Sequence, residues 1–138
     1  MSAYASTPAN VKPSSQARYL SQAPAGVAIN AGQPVYQDTA GLWQLTDSDA
    51  SATAADIQGI APCNVAVGQP LAPVFDDPDF THGLTGLTAG APVFTHPTAG
   101  ALGPIGDVVT GNFTALVMIA TSATKAVLKI VRSGVAHA

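Results

Sequence analysis

The sequence predicts an all-β fold, a small β-sandwich, jelly roll or β-barrel with an extended N-terminal arm, and three features carry that expectation. The strong formers of exposed helices are nearly missing, since all eight acidic residues are Asp, none is Glu, and Lys occurs only at Lys12, Lys125 and Lys129. Thirteen Gly and eleven Pro punctuate the 138 residues, too densely for long uninterrupted elements. One turn phrase recurs ahead of short apolar runs.

That phrase is a small or apolar residue, Gly, any residue, Pro and an apolar residue. It reads Ala31-Gly32-Gln33-Pro34-Val35-Tyr36, then Val67-Gly68-Gln69-Pro70-Leu71, then Ala89-Gly90-Ala91-Pro92-Val93-Phe94. Gly supplies a positive φ, and Pro, having no N–H to offer a ladder, is tolerated as the first residue of a strand. Each phrase is therefore expected to launch a strand. The first and third units continue into Asp38-Thr39-Ala40-Gly41 and Pro97-Thr98-Ala99-Gly100, each followed by apolar residues, which predicts the same hairpin used twice. The units begin at residues 31, 67 and 89, so they keep no fixed period and do not describe a solenoid.

Ile57-Gln58-Gly59-Ile60-Ala61 and two segments of Val65 to Phe75, broken at Gly68 and Pro73, add further short strands. Phe113 to Ile119 and Ala126 to Val131, joined by Thr121-Ser122-Ala123-Thr124, form the strongest strand pair. Both are apolar on both faces, which predicts burial on two sides, inside a sandwich or under another subunit. About eight to ten strands follow, enough for a sandwich or barrel. Asp47 to Asp56, rich in Ala with Asp and Ser at its start, suits one short capped helical turn.

The chain divides into an arm, residues 1–24, and a single β domain, residues 25–138. The arm shows no helical or strand period. It carries Tyr4, Lys12, Arg18, Tyr19 and Leu20, the candidate interface residues of an arm that orders on a neighbouring subunit.

Little points to catalysis, metal or cofactor. Asp76-Asp77-Pro78-Asp79-Phe80-Thr81-His82 is the one dense run of potential ligands, yet its spacing matches no calcium loop, and Pro78 with the lack of alternation places it in a solvated loop. A cation held by its carboxylates is the alternative. A hydrolase would need Asp77, Asp79 and His82 to converge. His82, His96 and His137 are scattered singly, and neither a nucleophile elbow nor a phosphate-binding Gly loop occurs. Cys63 is alone, which excludes an internal disulfide and suits a small buried filler. Trp43 suits a core anchor.

Hydrophobic residues make up 47% of the chain and charged residues only 9%, against about 25% in ordinary soluble domains, so much of the surface is inexpensive to desolvate. Assembly is the expected consequence. Five Lys and Arg and a net charge of −3 are too little cation for nucleic acid. The N-terminal residues carry no secretory signal pattern, and Lys125 and Lys129 interrupt the one long apolar stretch, so no membrane span is expected.

The phrases Ala31-Gly32-Gln33-Pro34-Val35, Gln58-Gly59-Ile60-Ala61, Gly83-Leu84-Thr85-Gly86-Leu87-Thr88-Ala89-Gly90 and Val117 to Thr124 resemble those of tailed-bacteriophage capsid cement and decoration proteins over about residues 26–131. Similar phrases occur in tail-fibre and spike modules, the alternative reading. The cement resemblance implies a virion protein, made in the host cytoplasm, that sits on the capsid surface as a homodimer or homotrimer, binds the major capsid protein and stabilises the head. It implies no cofactor and transfers no site residue.

Overall fold

The structure is a computed structural model, and it describes residues 3–47, 56–96, 98–104 and 113–136. It is all-β, a curled antiparallel sheet in the form of a half-barrel, with one 3-10 turn at Pro8–Asn10. The described strands are β1 (Arg18–Tyr19), β2 (Ala23–Pro24), β3 (Pro34–Gln37), β4 (Trp43–Leu45), β5 (Gly59–Ile60), β6 (Pro70–Leu71), β7 (Val74–Thr81), β8 (Pro92–Thr95), β9 (Leu102–Gly103), β10 (Phe113–Ala120) and β11 (Lys125–Ala136). The main sheet runs β4-β3-β5-β7-β11-β10-β8-β9, with β1 added to β7, while β2 and β6 form a separate ribbon.

All three turn phrases launch strands. β3, β6 and β8 begin at Pro34, Pro70 and Pro92, and the preceding Gly32, Gly68 and Gly90 hold φ of 90°, 85° and 89°. Both expected hairpins form, β3 with β4 and β8 with β9, and they occupy opposite ends of the main sheet. Their turns share a device. Asp38 Oδ1 accepts the N–H of Ala40, and His96 Nδ1 accepts that of Thr98, so in each a side chain fixes the backbone two residues on. The two hairpins approach each other across the curl, where Gly100 N–H donates to the Thr46 carbonyl at 2.8 Å.

The strongest pair expected, β10 with β11, is the longest ladder of the sheet. Inside the curl, Phe80, Val93, Val117, Met118, Ala126 and Leu128 belong to one buried cluster, and Trp43 joins Ala25, Ile29, Val35, Ala61 and Leu71 in a second. Trp43 is 2% exposed, a core anchor as expected. Cys63 corrects the sequence reading: it is exposed, because it follows β5 in the bend at residues 62–63, where the chain leaves the core. The helical turn expected over Asp47 to Asp56 falls mostly on residues 48–55, outside the described residues.

The N-terminal segment is extended and lies along its own chain. Tyr4 N–H donates to Leu102 O, Thr7 N–H to Gly83 O, Lys12 and Thr81 exchange backbone bonds, and Leu20 N–H donates to Pro73 O. β1 pairs with β7 and β2 with β6, and the same antiparallel course continues past residue 24 to a bridge between Ile29 and Val65. β5 reaches only Val74 at the end of β7, and the arm covers the rest of that edge. A bare strand edge is a hazard for aggregation, and here the arm removes it.

Candidate assembly surface

The side chains singled out for chemistry serve the backbone instead. Asp76 to Thr81 is not a loop but most of β7, which corrects the sequence reading, with Asp77 fully buried and His82, just after it, 1% exposed. Pro78 is tolerated because the pairing steps from Asp77↔Leu128 to Phe80↔Ala126, leaving Pro78 and Asp79 opposite Val127 in a bulge where no ladder N–H is required. Asp77 accepts from the Ser14 N–H at 2.7 Å, from the Ser14 hydroxyl and from the Asp79 N–H at 3.0 Å. His82 Nδ1 accepts the Leu84 N–H at 2.9 Å. The Asp79 side chain is exposed beside Lys125, 3.6 Å from its Nζ. Asp77, Asp79 and His82 thus serve three separate roles, and among the described residues no three His, Cys or Asp side chains gather as a metal set.

Among the described residues two titratable groups are displaced from their ordinary values. Burial holds the His82 imidazole below 6.5, opposed by the Ser122 carbonyl, and among the described residues its Nε2 has no hydrogen-bond partner. Asp38 is held below the usual carboxylate value by the Gln44 amide first, then by the Leu42 N–H.

The feature that stands out is the convex face of the sheet. The cross-strand register aligns Pro92, Ile119 and Val127 in one row over β8, β10 and β11, and Phe94, Leu116 and Val131 in the next. Ile119 is 44%, Val127 41% and Val131 58% exposed, and Pro92 is exposed as well. The opposite sides of the same strands, with Val93, Met118 and Leu128, are buried. The double-sided apolar character legible in β10 and β11 therefore leaves one side in the core and the other outward. Solvent-facing sheet surfaces are ordinarily polar, and a registered apolar block on one marks a contact surface.

The candidate interface residues of the arm are spread along its course. Tyr4 packs against the first core cluster and Leu20 against the second. Lys12 is exposed on the wall of a groove of about 580 Å³ that Thr81, Leu84, Thr85 and Thr124 also line. Arg18 is exposed opposite Asp76, and Tyr19 is 50% exposed. The apolar block was missed as a site because strand phase and bulge positions decide which residues point outward. Its only signal was the apolar character of both strand faces.

Comparison with known proteins returned no matching family model, no matching curated protein and no matching solved structure. Among the described residues no helix is long and apolar enough to cross a membrane.

Proposed function

We propose that this chain is a structural assembly protein, a bacteriophage capsid cement or decoration protein that binds the outside of the major capsid protein shell and stabilises the head. The observation that carries the reading is the outward apolar block of Pro92, Phe94, Leu116, Ile119, Val127 and Val131 on a chain with only 9% charged residues. Such a surface is inexpensive to desolvate against protein and gains from burial. The use of Asp77, His82 and His96 as acceptors for nearby backbone N–H groups supports a structural role over a catalytic one. The turn phrases add the resemblance to virion proteins.

The test is co-sedimentation of the purified chain with expanded heads of the phage whose genome encodes it. The expected result is saturable pelleting at a fixed ratio to the major capsid protein. A chain that stays in the supernatant, or binds host cells instead of heads, overturns the reading.

A further inference from the structure

His82 stands in the middle of the stretch to which the first half of the arm is bonded. Thr81, Gly83 and Thr85, at alternate positions, carry the arm: Lys12 and Thr81 exchange backbone bonds, the Thr7 N–H donates to the Gly83 carbonyl at 2.8 Å, and the Thr85 N–H donates to the Ala5 carbonyl at 3.0 Å. His82 and Leu84, the positions between them, are 1% and 6% exposed. The imidazole holds this stretch in shape, because its Nδ1 accepts the Leu84 N–H across Gly83, which turns the chain with φ of +69°. On the other edge the His82 N–H donates to the Thr124 carbonyl in the connection between β10 and β11.

A second proton has one place to go. Nδ1 is an acceptor, so the neutral ring carries its proton on Nε2, toward the Ser122 carbonyl, and protonation falls on Nδ1. That sets one N–H against another, the Leu84 N–H, and the two must part. Among the described residues no carboxylate pairs with the ring to hold an imidazolium in place. The charged groups on the elements around it are Lys12 of the arm and Lys125 of β11, both opposite Thr81, and Asp77 and Asp79 of β7. Asp77 is taken up by Ser14, and Asp79 is exposed beside Lys125. We propose that His82 is an acid-sensitive catch for the first half of the arm: protonation of Nδ1 breaks the bond to Leu84, the stretch 82–85 loses its shape, and residues 4–12 lift from it while residues 14–24 stay in place. The second half has its own attachments, Ser14 to Asp77, β1 to β7 and β2 to β6, none of which passes through residues 82–85. The freed segment carries Tyr4 and Lys12, and nothing in the switch depends on what the chain binds.

The experiment follows amide hydrogen exchange of the full chain by NMR at about pH 7.5 and about pH 5.5, on either side of ordinary histidine titration and corrected for the intrinsic pH dependence of exchange. Protection of Thr7, Lys12, Leu84 and Thr85 should fall about five- to tenfold at the lower pH, the change given by one proton that the open form takes up near 6.5 and the closed form resists. Leu20, bonded to Pro73, and the ladder between β10 and β11 should keep their protection. In His82→Asn, whose amide oxygen replaces Nδ1 as an acceptor that does not titrate, all of these amides should keep theirs. Unchanged protection of the four amides in the native chain overturns the catch. An equal loss at Leu20 and in the β10–β11 ladder means that the whole fold opens, which also overturns it, as does a loss that persists in His82→Asn. Should that variant not fold, the imidazole nitrogen shifts of the native chain decide: the proton gained on Nδ1 should appear together with the loss at Thr7, and a ring that titrates while Thr7 and Thr85 stay protected overturns the proposal.

Discussion

Ser14 donates both its backbone N–H and its hydroxyl to the carboxylate of Asp77, which stands 63 residues further along the chain and is fully buried. This is the side-chain latch that holds the arm along β7, and the Asp79 N–H completes the cage. Hydrogen bonds to a charged group contribute about 1.5–3 kcal/mol, and removing the acceptor also leaves donors unpaired. Asp77→Ala should therefore lower the stability to urea by about 2–4 kcal/mol, and Ser14→Ala by about 1–2 kcal/mol. Limited trypsin digestion should cut after Arg18 sooner in both variants. Cleavage at the native rate would show that the arm is held by its backbone bonds alone.

Where the arm recrosses the end of β7, Gly83 holds φ of +69°, and a Cβ built there would lie 2.8 Å from Val11 Cγ2 and 2.9 Å from the Thr7 carbonyl. Gly86 has a similar φ of +83° but open space around it. The pair separates backbone strain from collision. Gly86→Ala should cost about 1 kcal/mol, the left-handed penalty alone, and Gly83→Ala about 2–4 kcal/mol because the arm must also move. Equal losses in thermal melts of the two variants would mean that the arm yields freely at Val11.

What the sequence made legible is what local chemistry dictates. Gly and Pro set φ and remove donors at fixed offsets, so the starts of β3, β6 and β8 and both hairpins could be placed from residue types alone. β7 was hidden because its Asp-Pro-Asp run lacks alternation, and only the bulge opposite Val127 makes Pro78 compatible with a strand. The course of the arm was hidden for another reason. It is held mostly by backbone bonds to residues 65–84, which leave little side-chain period to read. The outward block needed strand phase, which a one-residue bulge reverses.

His82 gives the fold a pH dependence of definite sign. Its Nδ1 accepts from Leu84, so the proton of the neutral ring is on Nε2, and burial disfavours a second one. The unfolded chain takes up a proton near the ordinary value of 6.5 while the folded chain resists it, so stability is full above that value and falls as the pH drops below it. The melting temperature should decline between about pH 7 and pH 5, a range above most carboxylate titration. His82→Asn keeps an acceptor near Nδ1 without the titration and should flatten that decline. An unchanged slope in this variant would place the pH dependence elsewhere.

Cys63 is exposed beside Pro62 at a bend and makes no contribution to either core cluster. A thiol-specific disulfide reagent should react with one equivalent in the native protein, at a rate that denaturant changes little. Cys63→Ser should alter stability by no more than about 0.5 kcal/mol, the ordinary range for a surface position. Protection of the thiol until unfolding would return it to the buried class.

Trp43 is the sole tryptophan, 2% exposed, and among the described residues its indole N–H has no hydrogen-bond partner. Two effects therefore oppose each other at this site. Emptying the side chain opens a cavity among Ile29, Val35 and Leu71, and Trp43→Ala should cost about 3–5 kcal/mol. Trp43→Phe opens a smaller cavity and also removes a buried donor whose desolvation costs about 1–3 kcal/mol, so the net loss should be near 1 kcal/mol. Urea unfolding followed by circular dichroism gives both values, since neither variant retains the fluorophore. A loss in Trp43→Phe as large as that in Trp43→Ala would mean that the indole N–H is satisfied in solution, by an ordered water or by residues outside the described set, and that the second cluster depends on that bond as well as on volume.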